Sequence, residues 1–213
     1  EDFLEECKQL ATSELEASVE DLEYHQGNFQ VKGTRVGIGI FDLCSRQSDN
    51  SISVKRKKEL TGRSWPNGCH VAEVEIDAET GEVRLDRYVS VDDVGNTVNP
   101  MIVHGQVQGG IASGLGQAVL ERTEYDASGQ LLSGSYMDYA LPRADDMPSL
   151  SGSLFEKAPC LTNPLGAKGT GEIGAVAGPP AIVHAVIDAL SKKGITQVDM
   201  PLQPQKIWEC LNR

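Results

Sequence analysis

Residues 69–91 read Cys69-His70-Val71-Ala72-Glu73-Val74-Glu75-Ile76, then Asp77-Ala78-Glu79-Thr80-Gly81-Glu82, then Val83-Arg84-Leu85-Asp86-Arg87-Tyr88-Val89-Ser90-Val91. Apolar and polar residues alternate in both flanking runs, and a polar, glycine-containing hexapeptide joins them. Alternation with period two places one set of side chains on each face of a strand. Two such strands joined by a short polar link form an antiparallel β-hairpin. The hairpin leads into Asp92-Asp93-Val94-Gly95-Asn96 and then Asn99-Pro100.

Beyond it, Val103 to Leu120 carries Gly105, Gly109, Gly110, Gly114 and Gly116 among Ile111, Leu115, Val119 and Leu120 at helical spacing. Each glycine costs about 1 kcal/mol relative to alanine in a helix interior, so the small residues must serve a purpose. Either a second helix packs closely on that face, or a large planar ligand does. Glu121 to Leu132 reads as another strand pair turned at Asp126-Ala127-Ser128-Gly129. An extended run follows from Tyr136 to Pro142, then a strand over Ser151 to Glu156. Gly178-Pro179-Pro180 is expected to open a helix whose apolar face is Ala181, Ile182, Ala185, Val186, Ala189 and Leu190, ended by Gly194. Pro204 to Leu211 is a last short helix.

On the N-terminal side, Phe3, Leu4, Cys7, Leu10, Ala11 and Leu15 recur at helical spacing. Leu22-Glu23-Tyr24 and Phe29-Gln30-Val31 flank a Gln-Gly turn, and Val36 to Leu43 fits either a short strand or a short helix. Ser45 to Gly62, with the basic cluster Lys55-Arg56-Lys57-Lys58, is a polar surface segment. The expected fold is α+β, with antiparallel hairpins and a mixed sheet carrying packed helices. Its parts are a helix, hairpin and polar loop over residues 1–62 and a second portion over residues 63–213.

Composition narrows the function. The 213 residues carry a formal net charge of -12 and a pI near 4.7, which disfavours nucleic acid and anionic membranes as partners. No apolar run approaches the roughly 20 residues that span a bilayer. The opening Glu-Asp and the acidic helix behind it give no sign of a signal peptide. The five cysteines are scattered without a C-x-x-C pair, and the four histidines are equally dispersed. That pattern argues against a disulfide framework, a zinc ribbon or an iron–sulfur cluster held by this chain, and for reduced thiols in the cytoplasm.

The stretch Gly166-Ala167-Lys168-Gly169-Thr170-Gly171-Glu172-Ile173-Gly174 sets one carboxylate among four glycines. Such a backbone can approach a ligand closely, although a solvated loop with one glutamate would read the same. Gly169 to Gly174 matches G-x-G-x-x-G, but no buried strand precedes it, and Lys192-Lys193-Gly194 stands where the fingerprint needs an acid. Dinucleotide binding is therefore rejected. A phosphate-cradling P-loop fails as well, for want of a terminal Gly-Lys-Ser/Thr.

Four stretches taken together resemble one family: Val91 to Pro100, Gly105 to Gly110, Tyr139-Ala140-Leu141-Pro142, and Asn163 to Glu172. In this order and spacing they are similar to the molybdenum-binding large subunit of the xanthine dehydrogenase, aldehyde oxidase and carbon monoxide dehydrogenase family. Asn163-Pro164-Leu165-Gly166 leans toward the bacterial aldehyde and carbon monoxide dehydrogenase-like members. The resemblance covers essentially the whole chain and identifies it with the C-terminal portion of that subunit.

The resemblance implies a molybdopterin cofactor, in bacteria as its cytosine dinucleotide, with molybdenum held by the pterin dithiolene and not by protein side chains. Glu172 matches the glutamate beside molybdenum that acts as general base. Gln106 matches a glutamine that hydrogen-bonds the cofactor at its metal end. Gly109, Gly110, Lys168, Gly169, Thr170 and Gly171 match the lining of the same pocket. The implied reaction inserts a water-derived oxygen into an aldehyde, an N-heterocycle or a related small substrate. The implied partners are the remainder of the molybdenum subunit and subunits or domains carrying FAD and 2Fe-2S clusters, in an oligomer. Alone the chain would be inactive, with an apolar exposed surface. The competing reading is a non-catalytic scaffold.

Overall fold

The computed structural model describes residues 1–57, 59 and 62–212. Lys58, Leu60 and Thr61, within the polar segment and its basic cluster, lie outside the described residues. The chain forms two compact units, Glu1–Glu59 and Leu60–Arg213.

The first unit begins with α1, Asp2–Leu15, which buries Cys7 and Ala11 one turn apart. Strands β1, Leu22–His25, and β2, Asn28–Val31, pair antiparallel across Gln26 and Gly27. Both turn residues have positive φ, at 46° and 86°, as a two-residue hairpin turn matched to strand twist requires. The ambiguous stretch Val36 to Leu43 contains both alternatives. It starts as β3, Gly37–Gly39, paired with β2, and turns at once into α2, Ile40–Ser45. Leu22, Phe29, Ile38 and Leu43 close a small core over Cys7 and Ala11.

The second unit is built on the hairpin β4, Asn67–Ile76, and β5, Val83–Asp93, with β6, Leu150–Leu154, added parallel to β5. A bulge interrupts the register between Glu73 and Val74, which pair with Arg87 and Leu85 and leave Asp86 unmatched. The extra residue reverses the phase of β5. Val83 and Leu85 face the core on one side of the bulge, and Tyr88, Ser90 and Asp92 face it on the other. Val89 and Val91, apolar in the alternating pattern, are turned outward.

Helix α3, Pro100–Leu115, is capped by Asn99, whose Oδ1 accepts from the Ile102 amide at 3.3 Å, with proline in the first turn. It runs on into a wider turn of π-helix over Gly116–Leu120. Helix α4, Ile173–Ser191, lies against it. Val103, Val107, Ile111 and Leu115 face Gly174, Gly178, Ile182, Val186 and Leu190, each set spaced by four. A Cβ on Gly110 would sit 2.8 Å from the Gly174 Cα, and one on Gly114 3.0 Å from the Gly178 Cα. At these two glycines the small-residue face of α3 serves helix packing. Helix α5, Pro204–Leu211, adds Ile207, and Leu202 ahead of it completes a core shared with β5, α3 and α4.

Three expectations are corrected. Pro179 and Pro180 lie inside α4 and do not start it. The packed face begins at Ile173, so tertiary contact carries the helix through a proline pair that local propensity would make its start. Glu121 to Leu132 is no strand pair: only Tyr125 and Leu131 bridge, around the turn held by Asp126. Tyr136 to Tyr139 is a turn and not an extended run, with the Tyr139 amide donating to the Ser135 carbonyl at 2.9 Å. Among the described residues, one helix is long and apolar enough to cross a membrane by length and composition, α4, at 19 residues and mean hydropathy 1.6. Its glycine-rich face is used against α3 and its flank against β4.

Candidate functional site

The loop from Cys160 to Glu172 is fastened to the end of β5 before it enters α4. The Asn96 amide donates to the Gly166 carbonyl at 2.9 Å, the Lys168 amide to the Val94 carbonyl at 2.7 Å, and the Asn96 Nδ2 to the Leu165 carbonyl at 2.9 Å. This approach needs glycine on both sides. Gly95 and Gly166 have φ of 66° and 69°, and a Cβ on Gly95 would fall 2.1 Å from the Gly166 carbonyl oxygen. Asn163 brackets the turn, its Nδ2 donating to the Ala167 carbonyl at 2.8 Å while its Oδ1 accepts from the Ala167 amide. Asn163→Ala is expected to cost about 1–2 kcal/mol of stability, from two lost hydrogen bonds. The readout is the unfolding temperature, and an unchanged value would show that the loop is held without this bracket.

Past the anchor, the chain opens onto a cavity of about 440 Å³. Gly169, Thr170, Gly171, Glu172, Ile173 and Val176 form one wall, and Ser64 to Gly68, leading into β4, form the other. The second wall is absent from the sequence-based site, and its one signal was the aromatic Trp65 beside Pro66 at the end of a polar stretch. Glu172 stands at the N-cap of α4, exposed, with no side-chain bond to the helix amides. Gln106, on α3, comes over from the facing helix. A Cβ on Gly171 would lie 3.9 Å from its Oε1.

The sites for a side chain on Gly169 and Gly109 are open, with nothing within 4 Å, whereas Gly110 is filled by α4. Thr170 carries a buried hydroxyl with no hydrogen-bond partner. Lys168 turns away from the cavity to Asp93, Nζ to Oδ2 at 2.5 Å. The structure thus brings together Gln106, Gly169, Thr170, Gly171 and Glu172, sets Gly109 on the same helix as Gln106, and gives Gly110 and Lys168 packing and pairing roles.

Behind the second wall lies a polar set that sequence reasoning missed. His70 on β4 is bonded through Nδ1 to the Tyr88 hydroxyl at 2.9 Å and through Nε2 to Asp92 Oδ1 at 2.8 Å. The His70 and Asp92 side chains are almost fully buried. Burial, and the Asp92 carboxylate after it, push the Tyr88 hydroxyl well above the ordinary tyrosine range. The Asp92 Oδ1 occupies the space where a Gly68 side chain would go, at 2.7 Å. This histidine seemed isolated in the sequence because its partners are 18 and 22 residues away and turn inward only through the bulge.

The chain as a whole is similar to known proteins. A sequence model described as "Molybdopterin cofactor-binding domain" matches residues 1–148. The 6-hydroxypseudooxynicotine dehydrogenase complex subunit gamma of Paenarthrobacter nicotinovorans is 33% identical over 96% of this chain and 27% of its own length. The solved CO dehydrogenase from Oligotropha carboxidovorans aligns at TM-score 0.80 and 28% identity, over 98% of this chain and 27% of that one. Quinoline 2-oxidoreductase from Pseudomonas putida 86 aligns at 0.78 and 33% identity, over 98% and 28%. The chain spans about a quarter of the length of these relatives. With the sequence model matching 1–148 of its 213 residues, well over half, the chain belongs to the molybdopterin cofactor-binding domain family.

Proposed function

We propose that this chain contributes one wall of the molybdenum cofactor site in a molybdenum-dependent hydroxylase or dehydrogenase, with Glu172 as its general base. One observation carries the reading: with α3 packed on α4, Gln106 Oε1 lies 3.9 Å from where a Gly171 Cβ would stand, beside the segment Gly169 to Ile173 that lines the cavity.

The residues fit the group. The partnerless Thr170 hydroxyl and the open positions at Gly169 and Gly109 suit a large ligand with hydrogen-bonding edges. No cluster of three His, Cys, Asp or Glu side chains suited to a metal occurs among the described residues; in this reading the pterin dithiolene holds the molybdenum. When bound, the molybdenum cofactor supplies the redox step and the Lewis acidity that makes a water easier to deprotonate.

The protein's own residues do the rest. Gln106, an amide that both donates and accepts, orients the cofactor at its metal end. Gly169 to Gly171 let backbone approach it, and Thr170 Oγ1 offers a donor. The Glu172 carboxylate, held by no cap bond, takes the proton from the attacking water. The substrate is an aldehyde, an N-heterocycle or a related small molecule, a class supported by the nicotine-derivative, quinoline and carbon monoxide enzymes among the relatives. The cofactor form is the cytosine dinucleotide. The working enzyme is a cytoplasmic oligomer with the rest of the molybdenum subunit and with FAD and 2Fe-2S components. Tyr136, Met137 and Leu161, each more than four-fifths exposed, support a surface covered by other parts of such an assembly.

The test is elemental analysis for molybdenum, together with release of the pterin nucleotide, on the native complex containing this chain. About one of each per copy of the chain is expected. Their absence from an intact complex would leave the chain a non-catalytic scaffold.

A further inference from the structure

Lys168 is the one cation in the glycine-rich loop, and its charge is already committed. Its Nζ lies 2.5 Å from Asp93 Oδ2, and both side chains are nearly buried, at 11% and 12% exposed. The other Asp93 oxygen accepts from the Gly95 amide at 2.9 Å, which fixes the tight turn that lets Gly95 meet Gly166. Burial would raise the Asp93 carboxyl, but the hydrogen bond from Lys168 and those from the Gly95 amide and Asn67 hold it below the ordinary carboxylate range. Asn67, the cross-strand partner of Asp93, lines the cavity from the β4 side. Lys168 immediately precedes Gly169, where the opposite wall begins.

Asp93 therefore stands at the junction of both walls. Resting on the reading of this cavity as the cofactor site, we infer that Asp93 and Lys168 are positioning residues: their ion pair sets the separation of the two cavity walls and the placement of Glu172, and the lysine ammonium is not a ligand for an anionic group of the cofactor. The neighbouring backbone supports this division of labour. Lys168 is bonded through its own amide to Val94 while its side chain passes back under the loop to Asp93, so main chain and side chain grip the end of β5 together. A lysine serving a cofactor phosphate would have to give up a short pair to a nearly buried carboxylate, leaving that carboxylate with no counter-charge in a setting where an unpaired charge is costly.

A double-mutant cycle on the native complex tests the assignment. Asp93→Asn, Lys168→Met and the two combined are compared with the wild type by amide hydrogen exchange over residues 163–172, by pterin nucleotide content, and by kcat and KM separately. Each single change is expected to speed exchange of the hydrogen-bonded Ala167 and Lys168 amides at least tenfold and to lower kcat with little change in KM. Pterin content should stay near the wild-type value. The combined variant, which leaves no charge unpaired, should be no worse than either single one, because the two residues act as one unit. Lys168→Arg should restore most of the protection. If the single variants fail to assemble but the combined one assembles with fast exchange, the pair is equally established as the clamp. Loss of pterin in Lys168→Met with normal pterin and exchange in Asp93→Asn would overturn the proposal, and so would wild-type exchange in both single variants. The exchange measurement does not depend on the cofactor, so it reports on the clamp even in a complex that holds no molybdenum.

Discussion

In the assembled complex, Glu172→Gln is expected to reduce kcat by roughly 10²- to 10⁴-fold, the usual contribution of a positioned general base, with molybdenum and pterin content unchanged. Glutamine keeps the size and most of the hydrogen-bonding capacity of the side chain but cannot take a proton at neutral pH. Because Glu172 is exposed and makes no cap bond, the change should alter stability by less than about 0.5 kcal/mol. Loss of turnover at constant stability and constant cofactor content is the combination that only a chemical role explains. Glu172→Asp, which withdraws the carboxylate by about one bond length, should fall between the two, since misplacement by about 1 Å can cost 10²-fold. Undiminished turnover in the glutamine variant would remove Glu172 from the mechanism.

The largest effect on folding is expected at Gly174. A Cβ there would lie 2.2 Å from the Val107 carbonyl oxygen, 2.6 Å from the Ile111 nitrogen and 2.9 Å from the Gly110 carbonyl carbon. All three are backbone atoms, so no side chain can rotate away and the helices themselves must separate. Overpacking costs about 1–3 kcal/mol and sometimes more, and the rigid neighbours put Gly174→Ala at or above the top of that range. At 2–4 °C per kcal/mol for a chain of this size, the unfolding temperature of the second unit should fall by about 6–12 °C. Gly174 is two residues from Glu172 and opposite the helix that carries Gln106, so turnover should fall with it. An unchanged unfolding temperature would mean that α3 and α4 are not in backbone contact.

The hairpin of β4 and β5, α1, the β1–β2 turn and α5 were legible because each is specified by its own residues: a period of two or 3.6, and a turn or proline at a fixed place. What escaped depended on partners distant in sequence. The start of α4 at Ile173 is set by the glycines of α3 that it meets, and local propensity at Pro179 pointed the wrong way. The bulge at Asp86 marks the alternating pattern only by the polar pair Asp86-Arg87, easily passed over, yet it decides that Tyr88 and Asp92 face His70 and that Val89 and Val91 do not. For the cavity, the glycine-rich wall stood out by composition and the resemblance supplied Gln106. Ser64 to Gly68 did not stand out, because its one signal, Trp65 beside Pro66, closes a polar stretch that reads as surface. The resemblance placed Lys168 in the lining of the pocket; its pairing with Asp93, 75 residues away in sequence, was not legible there.

The pairing of α3 with α4 also sets a schedule for synthesis. Helix α3 ends at Leu115, and α4 begins about sixty residues later. At 5–20 residues per second, the ribosome delivers the second helix roughly 3–12 s after the first. For that interval Val107, Ile111 and Leu115 have no partner across the glycine seam, and the hairpin lacks α4, the helix that packs on β4. The nascent chain thus shows an unpaired apolar helix face for seconds, the stage at which two growing chains held close together would most readily exchange helices.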